Sequence, residues 1–451
     1  MSNGKKVNVQ LADTNGVAAV PLAAGEKKSN VRWAVAVVLA LSFMAMFMGR
    51  TVFSVSGKAI MEQYGWTSAQ FGYASTAFFI GYMITMVPSG SIADKYGATK
   101  VLIISLLLSG IFTFFTPIIG VTMFLMILVR ILEGASQGCI VPGAMSNLGK
   151  WFPKREFGVA SALVQAGCPL GSALNMYIAA AMLPLIGWQN LFYIYAIIFP
   201  IWCIIWVTVG KSSPKEHKRV NQKEIEWIQQ RPEGLENTKP VILAKKDIFR
   251  TPAVWLMCLS YGCAVYMYFF ATTWLPNYFT IGRGMSISAG ATPFIVGFFA
   301  YFVGGFIADG ASKKLGDKIG RKLVQVVGMI GAAVLIFIGA NATDPTLVVA
   351  AVSLSYGFLC LTMGGYFSVP SAICPANVGV YTGLAGIIGA IAGVLAPTVT
   401  GLVVDAGLNA GASNAVAYGY ALWVCAAVCI LGSILALLAK IEVVKPKRIK
   451  N

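Results

Sequence analysis

Histidine is all but missing from this chain of 451 residues: the single one is His217, in a polar stretch. A histidine-based metal site or a Ser/His triad therefore has no raw material. Charge is scarce too, at 11% of residues against about 25% in soluble globular chains. Acidic residues are the scarcer sign, 17 Asp+Glu against 34 Lys+Arg, for a formal charge of +17. Cysteine is missing from every hydrophilic loop. All nine (139, 168, 203, 258, 263, 360, 374, 425 and 429) fall in apolar segments, as small core residues do, which argues against a disulfide framework or a CxxC metal site. No nucleophile–base pair or metal cluster is apparent, so neither an enzyme nor a resident metal or cofactor is expected. The composition also excludes a disordered chain and a nucleic-acid binder.

What the chain has in excess is apolar length, with 57% hydrophobic residues and a mean hydropathy of +0.74. About 20 apolar residues span a bilayer as a helix. Windows of that kind occur near 33–57, 70–92, 101–119, 121–145, 157–183, 190–210, 253–276, 287–311, 323–341, 346–370, 377–403 and 417–439, which predicts twelve transmembrane helices. The polar tail 1–32 precedes the first of them, too long for a cleaved signal, and is expected to be disordered. A hydrophilic linker, 211–252, separates helices 33–210 from helices 253–440, and 441–451 forms a second tail. Within the linker, Gln222–Gln230 reads as a short amphipathic helix lying along the membrane surface.

Most of the positive charge then reports topology. Thirty of the 34 basic residues lie on one side if both termini are cytoplasmic, and only Lys58 and Arg283 lie on the other. By the positive-inside rule this places both tails in the cytoplasm. The last two, Arg50 and Arg130, fall inside predicted helices, where an arginine costs roughly 2.5–3.5 kcal/mol. One reading has both guanidiniums facing a cavity and binding an anion, for which their planar forks are suited. The other has Arg50 snorkelling to the outer headgroups and Arg130 paired with Glu133. Glu133 and Gln137 share the helical face of Arg130. Glu133 is either a proton site or the neutraliser of Arg130.

The chain also repeats itself. Gly90-Ser91-Ile92-Ala93-Asp94 ends the second predicted helix, and Gly305-Phe306-Ile307-Ala308-Asp309 ends the eighth, at an offset of 215 residues. Each precedes a basic loop containing glycine. Two six-helix halves related by a parallel repeat follow from this. Asp94 with the adjacent Lys95, and Asp309, are expected to form gating contacts that exist in one conformation only. Glycines in the fifth and eleventh helices, with Pro169 and Pro397, suit a bundle that slides and bends.

At these residues a resemblance appears. Gly90-x-Ile92-Ala93-Asp94-Lys95-Tyr96-Gly97-x-x-Lys100 is similar to the loop 2–3 signature of the major facilitator superfamily. Arg130-x3-Gly134-x7-Pro142, followed by Trp151-Phe152-Pro153-Lys154-Arg155-Glu156, resembles its anion:cation symporter branch, as do Trp274-Leu275-Pro276-Asn277-Tyr278 and the run from Gly383 to Pro397. That branch includes bacterial sugar-acid and phthalate transporters, sialin and the vesicular glutamate transporters. The resemblance implies an all-α integral membrane protein with the major facilitator fold. It implies alternating-access transport of a small organic anion, a sugar acid, carboxylate or sulfonate, across the bacterial cytoplasmic membrane by a monomer, with a proton or sodium as coupling ion. It further implies that Arg50 and Arg130 bind the anion and that Tyr82, Gln165 and a serine near Ser368 line the site. Two departures stand out: proton-coupled members carry acids where this chain has Gly49 and Gln137. Coupling through Glu133, coupling through sodium, and an exchanger or uniporter all remain open. An effluxer of amphiphiles and a transporter-like sensor are the alternatives outside anion uptake.

Overall fold

A computed structural model describes residues 28–229, 248–373 and 378–440. The expectations for 1–27, for the middle of the linker and for the last eleven residues lie outside the described residues. So do those resting on the side chains of Asp94, Asp309 and Ser368. What is described is helical throughout: α1 (Val31–Val55), α2 (Gly57–Tyr64), α3 (Ser68–Tyr96), α4 (Ala98–Ile119), α5 (Met123–Gln137), α6 (Ile140–Trp151), α7 (Lys154–Val209), α8 (Gln222–Gln229), α9 (Pro252–Asn277), α10 (Ala291–Leu315), α11 (Asp317–Asn341), α12 (Pro345–Ile373), α13 (Val378–Asn409) and α14 (Asn414–Leu438).

Twelve passes follow from these. Helix α7 runs for 56 residues, roughly 84 Å at 1.5 Å per residue, more than twice the ~30 Å hydrocarbon core. It is broken at Gly187, whose φ of 77° and ψ of 168° leave the helical region and start a second pass. Helices α5 and α6 together make one pass, interrupted at Gly138 and Cys139. Many leucines, isoleucines and phenylalanines point outward from these helices, Ile104, Phe124, Ile204 and Phe306 among them, which is the surface a lipid-embedded bundle presents.

The internal repeat seen in the sequence returns as a turn. Helix α3 reverses into α4 at Gly97 (φ 89°, ψ 131°), and α10 reverses into α11 at Gly316 (φ 81°, ψ 153°). A side chain is strained at such positive φ, so each half places glycine at its own hairpin.

Helices α1 and α7, and α3 and α5, pack together in the first half. In the second half α12 packs between α10 and α11, and α14 packs on α9 and α11. The halves meet where α3 lies along α13 and where α7 touches α10. The tight contacts sit toward the face opposite the termini. Asp405 near the end of α13 accepts hydrogen bonds from the backbone N–H groups of Ser68 (2.9 Å) and Ala69 (2.9 Å) at the start of α3. Thr76 meets Thr398 at 2.6 Å, and Phe71 packs edge-on against Trp274. A carboxylate on two free N–H groups at a helix start is worth roughly 0.5–2 kcal/mol. We therefore expect Asp405→Ala to loosen this seal. Spin labels on Glu62 and Asn414, exposed on either side of the interface cleft, should show a larger long-distance population by double electron–electron resonance. An unchanged distance distribution would dismiss Asp405 as a latch.

The short helix expected in the linker is present as α8, and it is docked on the first half through polar groups. Glu224 is fully buried and accepts from Ser29 Oγ (2.6 Å), Val31 N (3.1 Å), Arg32 N (3.1 Å) and Arg32 Nη1 (2.9 Å). Glu156 at the start of α7 accepts from Arg32 Nε (2.8 Å) and Trp227 Nε1 (2.9 Å). The otherwise unsatisfied N–H groups that open α1 explain the preference: they supply donors that a lipid surface lacks. His217 lies next to this clamp, packed edge-on against Trp151. Burial, helped by Arg219 and Lys211, lowers its pKa from the usual value.

Candidate functional site

Arg130, Glu133 and Gln137 fall on one face of α5 and are buried to 3%, 0% and 0% exposure. Arg130 Nη1 donates to Glu133 Oε2 at 2.6 Å, and Thr113 of α4 donates to Glu133 Oε1 at 3.3 Å. Both carboxylate oxygens are thus engaged, as a buried ionised carboxylate requires. Gln137 is different, since among the described residues neither of its amide atoms has a hydrogen-bond partner.

Arg50 of α1 is only 4% exposed, and among the described residues no acidic side chain forms an ion pair with it. Its guanidinium lies among aromatic rings, 4.7 Å from the Phe47 centroid, 5.1 Å from Phe78 and 4.9 Å from Tyr82. Arg130 stacks on Phe53 at 4.4 Å and on the same Phe78 ring at 4.7 Å. The two guanidiniums therefore share one phenylalanine ring. Cation–π contacts of this kind ease the burial of a cation without neutralising it.

The stack depends on how closely α3 and α5 approach. A Cβ added at Gly134 would lie 1.8 Å from the Phe78 carbonyl oxygen, and one at Gly81 would lie 1.9 Å from that of Ile131. Two helices touching backbone to backbone hold Phe78 and Tyr82, one turn apart on α3, against the charged face of α5.

The second half supplies the facing wall. Phe47 meets Tyr268 of α9 at 6.0 Å between ring centroids, and Tyr268 stacks with Tyr356 of α12 at 6.1 Å. Cys168 of α7 lies within electrostatic reach of both Arg50 and Tyr268. Tyr301 and Cys360 complete this cluster.

Of the residues singled out in the sequence, the structure brings Arg50, Arg130, Glu133 and Tyr82 together around Phe78. Gln137 continues their face. Gln165 is half-buried one turn from Cys168, and among the described residues no hydrogen bond joins it to the arginines. Lys95 is exposed and lies over the neighbouring Tyr96 ring at 5.1 Å. Phe78, Thr113, Cys168, Tyr268 and Tyr356 were missed. The four-residue spacing of Phe78 and Tyr82 was a usable signal for the first. The cysteine and the second-half tyrosines carried none, since each sits in an apolar run like any core residue.

The same arrangement of helices is found elsewhere. A solved bacterial homologue of the human lysosomal transporter Spinster, inward-facing and occupied, matches with a TM-score of 0.71 at 16% identity, covering 92% of this chain and 97% of that one. In sequence, the chain is 28% identical over 383 residues to a chloroplastic ascorbate transporter of Arabidopsis thaliana, covering 83% of this chain and 70% of the relative. It is 27% identical over 376 residues to a probable sulfoacetate transporter of Cupriavidus necator, covering 82% and 86%. The sequence model of the Major Facilitator Superfamily matches residues 39–314. That match covers more than half of the chain, and the chain belongs to the Major Facilitator Superfamily of membrane transporters.

Proposed function

We propose that the protein carries a small organic anion, a sugar acid, carboxylate or sulfonate, across the bacterial cytoplasmic membrane by alternating access, as a monomer with both termini in the cytoplasm. The observation that carries this reading is Arg50: a guanidinium buried within the membrane interior, stacked on three rings and lacking an acidic partner among the described residues. Such a charge is costly to hold alone, and its forked donors suit a carboxylate or sulfonate. The names of the relatives, transporters of ascorbate and of sulfoacetate, support the same substrate class. The basic loops on the terminal face support the orientation.

In this reading Arg50 is the primary anion ligand. Arg130, already paired, orients the cargo through the shared Phe78, and Tyr82 lines the pocket. Asp94, Lys95 and Asp309 belong to the hairpins that close the terminal face in the opposite state. Uptake coupled to a cation is the working mode, and Glu133 is the carboxylate through which protons would couple. The first test is a thermal-shift screen of the purified transporter against sugar acids, dicarboxylates, aromatic acids and sulfonates, followed by flux in proteoliposomes. An anion at 100 times its Kd should stabilise the folded state by about 2.7 kcal/mol. Stabilisation by lipophilic cations alone would favour an effluxer and overturn the reading.

A further inference from the structure

We infer that the cargo is a singly charged anion and that the Arg130–Glu133 pair sets this valence. The inference rests on the anion-transport reading above and names its substrate more narrowly. It begins with a charge count. With the charged residues of the terminal turns set aside, the first-half passes contain three groups charged at neutral pH, Arg50, Arg130 and Glu133. With terminal turns set aside in the same way, the second half (252–282, 287–308, 323–343, 345–404 and 406–439) contains no Asp, Glu, Lys, Arg or His. Asp405, which falls between the last two stretches, is taken up by the N–H groups of Ser68 and Ala69 near the end of α13. With Glu133 ionised, the interior away from the helix ends therefore holds two positive charges and one negative charge.

Glu133 counts as ionised because its surroundings suit the carboxylate. One oxygen takes the Arg130 guanidinium at 2.6 Å and the other takes the Thr113 hydroxyl at 3.3 Å. The pair is neutral, and Arg50 is left as the net charge of the site. A monoanion on Arg50 brings the interior to zero. A dianion would leave it negative, beside a carboxylate that already occupies the second arginine, and like charges at short range in a desolvated pocket cost several kcal/mol.

The opposite wall leads to the same conclusion independently. A second anionic group at the far end of a cargo would face Tyr268, Tyr356 and Tyr301, with no cation in the second-half passes away from their helix ends. Phenol rings and hydroxyls accommodate an apolar or hydroxylated body well. They do not neutralise a second carboxylate.

The test compares anions that share a carbon skeleton and differ in charge, gluconate with glucarate and benzoate with phthalate, binding to the intact transporter at pH 7.5. Within a pair that binds, the monoanion should bind at least about tenfold more tightly. In Glu133→Gln the interior rises by one positive charge, and the order within the pair should reverse. Equal or tighter binding of the dianion by the unaltered protein would overturn the inference while leaving anion transport in place. Retention of the monoanion preference in Glu133→Gln would remove Glu133 as the group that sets valence. If no anion of either charge binds, the anion-transport reading fails first and the inference with it. The comparison in the unaltered protein needs no variant and remains decisive if Glu133→Gln does not fold.

Discussion

Arg50→Ala should abolish measurable anion accumulation while leaving a folded, membrane-inserted protein. The two arginines differ in what their loss leaves behind. Arg50 has no acidic partner among the described residues, and its neighbours are aromatic faces. Its removal deletes an uncompensated buried charge, so thermal stability of the empty protein should hold or rise. The cargo loses a desolvated, charge-assisted contact worth roughly 2–5 kcal/mol, a fall in affinity between about 30-fold and several thousandfold. Arg130→Ala instead strands Glu133, which is fully buried with Arg130 as its ion-pair partner. Breaking one side of a buried pair costs about 3–5 kcal/mol, so that variant should fail by losing stability. Arg50→Lys keeps the charge but loses the fork, and should fall between wild type and alanine. Flux in proteoliposomes, with melting temperatures of the empty variants, separates these outcomes. Normal accumulation by folded Arg50→Ala would refute the site.

The second large effect belongs to a residue with no side chain. Gly134→Val should sharply reduce the yield of monodisperse protein, because a Cβ there would sit 1.8 Å from the Phe78 carbonyl oxygen and backbone cannot step aside as a side chain can. Overpacking of a well-packed contact costs roughly 1–3 kcal/mol or more. The displaced strip of α3 is the one carrying Phe78 and Tyr82. Whatever fraction still folds should therefore bind anions weakly, as Phe78 moves off both guanidiniums. Gly158→Val is the matched control: a Cβ at Gly158 meets nothing within 4 Å, and that variant should behave as wild type. Equal size-exclusion profiles for the two valine variants would show that the α3–α5 contact is not tight.

How far the site was legible depended on whether a residue stood out from a lipid-soluble background. Arg50, Arg130 and Glu133 did, because each interrupts an apolar window. Helical spacing placed Glu133 and Gln137 on the face of Arg130, but it left open whether Glu133 neutralises the arginine or serves as a proton site. The structure shows the pair formed and leaves Arg50 without a counter-charge among the described residues, and the proposed valence follows from that difference. Gln165 and Cys168 occupy the same turn of α7; polarity pointed to the glutamine, and the cysteine lies within electrostatic reach of Arg50. The amphipathic pattern of α8 was legible, but its docking on α1 was not. Glu224 found four donors at the start of α1, a segment nearly two hundred residues away.

The amino-acid sequence by itself determined that this chain lives in a membrane, crosses it twelve times and is built as a repeated pair of six-helix units. Each of these depends on sums along the chain: apolar length against bilayer thickness, and a hairpin glycine used twice. Tertiary structure alone decided which arginine is neutralised, which aromatic ring the two share, and which tyrosines of the second half lie nearby. Those outcomes depend on side chains meeting across helices in a low-dielectric interior. There a partner a few ångströms away changes the free energy of a charge by several kcal/mol, and local sequence carries no record of it.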